Sequence, residues 1–545
     1  MMINNRLLNL FGSLLLFSRK EWVNMMKVSI ISTSDVHGYI RADDFRRPLL
    51  NNGLGLSRAA TVIRDLKTQA TENDVLLTIE NGDFIQGSPL TNYIEKVTPE
   101  QTTIYQELAD EIGYDVRILG NHEFNYGRDY LERVLGDTPQ LLNANVLDET
   151  TKEPFIGQPT TIIERHGVKI GVIGLVTSYI PNWETPEHIA GLVFADPVAM
   201  AQQYIAQLRP LVDVLVIAYH GGFAQDLMTG EAFEKVTSEN QGYELLHLPG
   251  VDALVTGHQH RTIAQVVDGV PTTQPGYRAD NVGLITLELD AQHQIVDQQA
   301  QLLPTANATE DAAIVALIDP IQQAIDTWLD TPVGQVGYNM QITDHFAARL
   351  HSHPFIELVN RVQMAATDTQ IANTALFNDE VRGLANEVTL RDIMTNYIYP
   401  NTLVVEKLTG QDIKDALEVN ARYFVVNEDG KLVVNPHFLE PKVQHYNYDV
   451  WSGIDYTFDF GQPMGQRVQQ VSIAGEPLDL TTTYEVAMNN YRAGGAGDFP
   501  MFSNDKIVRE VQLETAELIG NYIMDHPQIE IAQPQNITSI GYQVD

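Results

Sequence analysis

Five short segments carry residues able to bind metal ions or handle phosphate, and each follows an apolar, β-branched run. They are Asp35-Val36-His37-Gly38, Gly82-Asp83, Asn121-His122, His220-Gly221-Gly222 and Gly257-His258-Gln259-His260. Beside His122 they offer two carboxylates, one amide and four histidines. Hard oxygen plus imidazole suits Zn, Mn, Fe or Co/Ni, and these donors are too many for one ion. Two ions fit if one carboxylate bridges them, and Asp83, alone in its loop, is the natural bridge. Two divalent ions about 3.5–4 Å apart polarise a phosphoryl group and generate hydroxide near neutral pH, so the chemistry suggested is phosphoester hydrolysis. Taken singly, each segment has a plainer reading. Asp35-x-His37 is a turn or helix cap, His220 a satisfied structural histidine, and His258-x-His260 two alternate residues of an extended stretch. Recurrence at five strand ends is what favours a joint site.

The elements that must position these residues are readable as short strands: VSIIST (28–33), VLLTIE (75–80), VRIL (116–119), KIGVIGLVT (169–177), VLVIAYH (214–220) and ALVTG (253–257). Several are apolar on both faces, as strands covered by helices must be. Between them, stretches such as 56–69 and 200–208 carry apolar residues at helical spacing. In an open α/β sheet the carboxyl ends of strands share one edge, so loops far apart in sequence converge on one crevice. Residues 311–330 read as helix, kinked or restarted at Pro320. Composition changes after it. The expected organisation is an N-terminal extension over 1–26, a first domain over 27–310, a helical linker over 311–340 and a second domain over 341–545. The second domain mixes helical runs (355–366, 411–419, 514–524) with strand-like ones (402–408, 453–459, 483–488). His351 and His353 read as solvated loop residues.

Composition narrows the partners. With 34 Lys+Arg against 71 Asp+Glu the net charge is −37, which repels nucleic-acid backbones and anionic membranes. Polymeric nucleic acid is therefore not an expected partner, while a small anionic substrate remains compatible, because metal ions and a few arginines reverse the field inside one cleft. The chain has no cysteine, which excludes disulfides, thiolate ligands and a cysteine nucleophile. An apolar run over 7–17 has the length of a signal-peptide core and is too short to span a bilayer. Three readings stand: translation from Met25 or Met26, giving a cytoplasmic protein; a signal or anchor, giving an exported or cell-surface one; or a packed N-terminal helix. No integral membrane domain is expected, and oligomeric state leaves no trace in the sequence.

DVHG, GDFIQGSP, GNHEFNYG, YHGG and GHQH, in this order, resemble the calcineurin-like metallophosphoesterases. The whole chain resembles the bacterial 5'-nucleotidase family. GDFIQGSPLTNYI (82–94), GNHEFNYG and YIYPNTLVVEKLTG (397–410) are most similar to its 2',3'-cyclic-nucleotide 2'-phosphodiesterase/3'-nucleotidase branch. The fold this implies is α/β: a calcineurin-like β-sandwich flanked by helices, joined by a helical linker to an α+β C-terminal nucleotide-specificity domain. The resemblance implies two divalent ions, one on Asp35, His37, Asp83 and His260, the other on Asp83, Asn121, His220 and His258. It makes His122 the catalytic histidine. The 5'-nucleotidase branch partners that histidine with an Asp three residues on; this chain has Asn125, as the cyclic-phosphodiesterase branch does.

In the second domain, Tyr446-Asn447-Tyr448-Asp449 and the stretch from Asn490 to Asp498 set aromatics beside polar or Gly-rich backbone. Read locally, these are core tyrosines next to a tight turn. Similarity to the family's base-stacking positions points to Tyr448 and Tyr491 as a clamp on a nucleotide base, with Tyr446 a near alternative and Asn447 and Asp498 beside them. Where the family shows an Asn, paired glycines and an arginine, this chain has Asn378-Asp379-Glu380-Val381-Arg382, so Arg382 is a weak match to the substrate arginine.

Overall fold

The computed structural model describes residues 25–543, apart from 137, 234, 235, 400 and 527. The apolar run over 7–17, and the compartment readings built on it, lie outside the described residues.

Two six-stranded sheets face each other. The first runs in the order Ile295–Pro304, Asn281–Leu289, Met26–Thr33, Asp74–Glu80, Val116–Ile118, Leu141–Leu142. The second runs Thr262–Val267, Val270–Pro275, Ala253–Val255, Val214–His220, Val168–Val176, Thr160–Arg165. Alternation along the strands builds the layers. Val28 and Ile30 point between the sheets, where they meet Val214, Val216 and Ala218 of the other sheet's cluster. Ile31 points outward under helices Leu56–Gln69 and Thr103–Ile112, and Leu215, Ile217 and Tyr219 point outward under helix Pro197–Leu208. Both faces of each central strand are thus apolar because both are covered.

The β-sandwich that the resemblance implies is present, whereas the reading of one open sheet edge needs correction. Asp35, Asp83 and Asn121 follow strands of the first sheet, whereas His220 and His258 follow strands of the second. The crevice is the shared edge of a two-sheet sandwich.

Helix Ala312–Leu329 runs unbroken through Pro320, which faces solvent. Asp311 caps it by accepting from the Ala313 and Ile314 amides. It is less a spacer than a wall of the first domain: Ile314, Ile318, Ile325 and Leu329 are buried in that domain's helical layer. The second domain begins its pairing at Pro332–Val336, and its main sheet has the order Asp449–Ser452, Ile371–Ala375, Thr483–Asn489, Thr402–Thr409, Ile507–Glu514. His353 is not a solvated loop residue. Its Nδ1 accepts from the Phe355 amide and caps helix Pro354–Thr367.

The two acids that replace glycines have structural partners. Glu380 pairs with Arg46 and Arg278 of the first domain at 3.0 and 2.9 Å, and Asp379 pairs with Arg349 and His445 within its own domain. Among the described residues no helix is long and apolar enough to cross a membrane.

Candidate active site

The five loops meet in strained backbone. Asp35, His37, Asp83, His258 and His260 all have left-handed φ, between 52° and 70°. Non-glycine residues hold this conformation only where the surroundings over-determine it. Here the loops are laced together: the Asp35 amide donates to the Gly82 carbonyl (3.0 Å), the His37 amide to the Asp83 carbonyl (2.8 Å), and the His122 amide to Asp83 Oδ1 (2.8 Å). The buried Glu123 carboxylate accepts from the amides of Gly120 (2.6 Å), Asp83 (2.8 Å) and Phe84 (2.7 Å), tying the second loop to the third. Gly82 is required where they touch, since a Cβ there would lie 2.6 Å from the Gly120 nitrogen.

Ligand atoms converge in two overlapping groups, Asp35 with His37 and His260, and Asp35 with Asp83 and His220. His37 Nε2 lies 3.1 Å from His260 Nε2, and His220 Nε2 lies 3.0 Å from Asp83 Oδ2. Asp83 Oδ2 also reaches within 3.8 Å of His37 Nε2, so both carboxylates face both groups. Beside them His258 Nδ1 meets Asn121 Oδ1 at 2.8 Å. His37 and His220 turn Nδ1 to the carbonyls of Gln86 (2.9 Å) and Asn81 (2.7 Å). A carbonyl only accepts, so the proton sits on Nδ1 and the Nε2 lone pair points into the cluster.

This donor set fits divalent cations. Asp83 Oδ2 and His220 Nε2 face each other at 3.0 Å with no further hydrogen bond to either buried atom, an arrangement that a cation between them would satisfy. Burial pushes His37 down to about 3 and holds His258 and His260 low, keeping these imidazoles in the neutral form that ligates. His220 behaves oppositely: burial disfavours its cation, yet Asp83 and Asp35 raise it to about 10. The field at that point attracts positive charge.

His122 stands at the rim, its Nδ1 2.6 Å from Asn125 Oδ1. Next to it opens a cleft of about 610 Å³ between the domains. The first domain contributes His37, His122 and Tyr277 to its wall; the second contributes Tyr399, Tyr446 and Tyr491. Tyr448 does not reach it. That ring is fully buried, 4.7 Å from Tyr423 and 5.3 Å from Phe424 between ring centres. The reason is the turn His445–Asn447, after which strand Asp449–Ser452 starts: Tyr446 faces the cleft and Tyr448 the core. Asn447 holds Gln444 Oε1 at 2.9 Å, Asp498 is exposed, and Arg382 donates to the Pro48 carbonyl across the domain boundary at 2.9 Å. None of these three lines the cleft. Arg492 does; it pairs with Asp449 at 2.7 Å and donates to the Tyr446 carbonyl, fixing the turn.

Residues 28–262 match the calcineurin-like phosphoesterase family, and residues 333–504 match the 5'-nucleotidase C-terminal domain. A Staphylococcus aureus protein described as a 5'-nucleotidase, crystallised with alpha-ketoglutarate, superposes with a TM-score of 0.86 at 35% identity, covering 94% of this chain and 100% of that one. The chain belongs to the 5'-nucleotidase family. Two further relatives are named 2',3'-cyclic-nucleotide 2'-phosphodiesterase/3'-nucleotidase. That of Haemophilus influenzae is 27% identical over 93% of this chain and 86% of its own length. That of Salmonella typhimurium is 28% identical over 86% and 81%. This member of the family is accordingly a phosphoester hydrolase with a calcineurin-like metal site.

Several residues that brace this 5'-nucleotidase-family site escape the motifs. Glu239 accepts from His258 Nε2 at 3.1 Å, orienting a candidate ligand from outside. Trp183 stacks on His258 and Tyr277 on His260, with ring centres 5.2 and 4.8 Å apart. Glu184 accepts from Asn125 Nδ2 at 2.7 Å. Only Glu123 had a sequence signal, as the acid inside GNHEF; the others come from irregular loops whose spacing carries no period.

Proposed function

We propose that this chain hydrolyses nucleotides as a 2',3'-cyclic-nucleotide 2'-phosphodiesterase/3'-nucleotidase. What carries the reading is likeness along most of the chain to proteins so named, with a side chain of the required type at every ligand position. Asp35, His37, Asp83 and His260 would hold one ion; Asp83, Asn121, His220 and His258 the other. The donor set of carboxylate, amide and imidazole suits Zn or Mn, with Fe, Co and Ni also compatible. When bound, two such ions supply Lewis-acid polarisation of a phosphoryl group and of water.

The chain's own residues do the rest. Tyr446 and Tyr491 hold the base, and their place in the cleft wall supports this pair over Tyr448. His122 keeps its Nδ1 proton toward Asn125 and presents Nε2 to the leaving oxygen. In the first turnover the water oxygen bonds to phosphorus and the P–O2' bond breaks; a second proton, carried at Nε2 of the His122 imidazolium, passes to O2', and the proton released by the water restores it. In the second a further water oxygen bonds to phosphorus as the P–O3' bond breaks, O3' takes the Nε2 proton, and the proton released by that water replaces it. Between them the nucleotide is re-presented, which a cleft formed by two domains allows.

Purified protein with Mn²⁺ or Co²⁺ is expected to turn over 2',3'-cAMP and 3'-AMP. Turnover of 5'-AMP alone would overturn this reading in favour of a 5'-nucleotidase, the second reading, which the Staphylococcus aureus relative's description favours.

A further inference from the structure

Where the 5'-nucleotidase branch sets an Asp beside the catalytic histidine, this chain has Asn125, as the cyclic-phosphodiesterase branch does, and an amide stabilises an imidazole proton less than a carboxylate does. The structure supplies a carboxylate one step further out. Asn125 Nδ2 donates to Glu184 Oε2 at 2.7 Å, while Glu184 Oε1 accepts from the Thr185 amide (2.9 Å) and faces His188 Nδ1 (2.9 Å). The Glu184 side chain is 6% exposed. From these contacts we infer that Glu184 is a positioning residue for catalysis: through Asn125 it locks His122 with its proton on Nδ1 and Nε2 aimed at the leaving oxygen. The inference rests on the proposed role of His122 in phosphoester hydrolysis.

The chemistry requires an acid at 184. Asn125 has one acceptor and one donor end, and only a partner that accepts from Nδ2 forces Oδ1 toward His122. Both Glu184 oxygens accept, one from Asn125 and the other from the Thr185 amide. A glutamine cannot serve both sides, because its Nε2 would meet either Asn125 Nδ2 or the Thr185 amide donor to donor. With Glu184 gone, the Asn125 amide flips freely and His122 populates the wrong tautomer. The loop that carries Glu184 also stacks Trp183 on His258 and accepts from Asn490 Nδ2 of the second domain through the Trp183 carbonyl (3.3 Å). The histidine's orientation is thereby built into the wall where the domains meet.

The test is Glu184→Gln, which keeps volume, together with the double swap Asn125→Asp/Glu184→Gln. In the swap the introduced amide donates to the introduced carboxylate, and that carboxylate accepts from His122 Nδ1. In the metal-loaded enzyme Glu184→Gln should lower kcat on 2',3'-cAMP about 10-fold, within the range of lost outer-shell partners, with KM within threefold. The swap should recover to within threefold of the parent. A p-nitrophenyl phosphoester, whose leaving group needs no proton, should be turned over by Glu184→Gln at near-parental rate. Nitrogen-15 histidine NMR of the zinc-loaded protein should read His122 as the Nδ1–H tautomer in the parent and as a mixture in Glu184→Gln. A kcat loss under threefold, a swap no better than Glu184→Gln, or an unchanged tautomer would each overturn the inference. The tautomer needs no substrate, so failure of the parent to cleave nucleotides would sink the proposed function and leave this measurement standing.

Discussion

The metal cradle of the first domain and the aromatic wall of the second line the same cleft, yet they are built differently. The cradle is fixed from several directions: left-handed backbone at Asp35, His37, Asp83, His258 and His260, amide-to-carboxylate lacing by Glu123, and outer partners for His37, His220 and His258. The wall depends on one turn. His445–Asn447 decides that Tyr446 faces the cleft and Tyr448 the core, and Arg492 holds that turn by its carbonyl. A chemistry-bearing centre tolerates little displacement, because a misplacement of about 1 Å can cost 10²-fold in rate. A stacking surface tolerates far more, since any aromatic face at the right depth holds a base.

The contrast predicts how each region breaks. Asp83→Asn removes the carboxylate that faces both ligand groups, and is expected to lower kcat by more than about 10³-fold together with bound metal counted by elemental analysis. Retained phosphoesterase activity would rule out a two-ion mechanism. Tyr448→Ala acts on the core instead: it should destabilise the fold by about 3–5 kcal/mol in denaturant titration, whereas Tyr448→Phe leaves KM within twofold. Tyr446→Ala and Tyr491→Ala should each raise KM for a nucleotide about 10-fold, from loss of roughly 1–3 kcal/mol of stacking. A larger KM effect at Tyr448→Phe than at Tyr446→Ala would reverse the assignment.

The same contrast explains what the sequence made legible. Candidate ligands such as Asp35-x-His37 and His258-x-His260 sit a fixed step beyond apolar strands, so residue type and spacing carry the signal. Strand positions were equally readable, because Val28, Ile30 and Ile31 advertise cover on both faces. That the strands divide between two sheets was not readable by period, since a covered strand looks alike in either arrangement. Tyr446 against Tyr448 was hidden for another reason: alternate residues share a face only while the chain stays extended, and the turn at 445–447 breaks the alternation. Glu184 and Glu239 come from irregular loops and gain meaning only through what they touch.

Buried carboxylates sharpen the comparison once more. In the first domain, burial works against Asp83 but the surrounding histidines hold it well below the usual carboxylate range. In the second domain, Glu406 is fully buried on strand Thr402–Thr409, with the Ser503 amide on one oxygen and no hydrogen bond on the other. Burial pushes it from 4.5 up to about 8, against the Ser503 amide and Lys506, with Asp412 adding to the rise. The unfolded chain releases this proton near its ordinary value, while the folded chain keeps it until about 8. Its contribution to stability is therefore complete below about pH 4.5 and lost progressively as pH rises toward 8. Glu406→Gln keeps the Ser503 contact and has no charge to bury. Chemical denaturation should find variant and parent nearly equal at pH 5 and the variant more stable by on the order of 2 kcal/mol at pH 9. A gap that stayed constant with pH would mean that Glu406 ionises in the folded chain as it does in the unfolded one, its burial being offset by its surroundings.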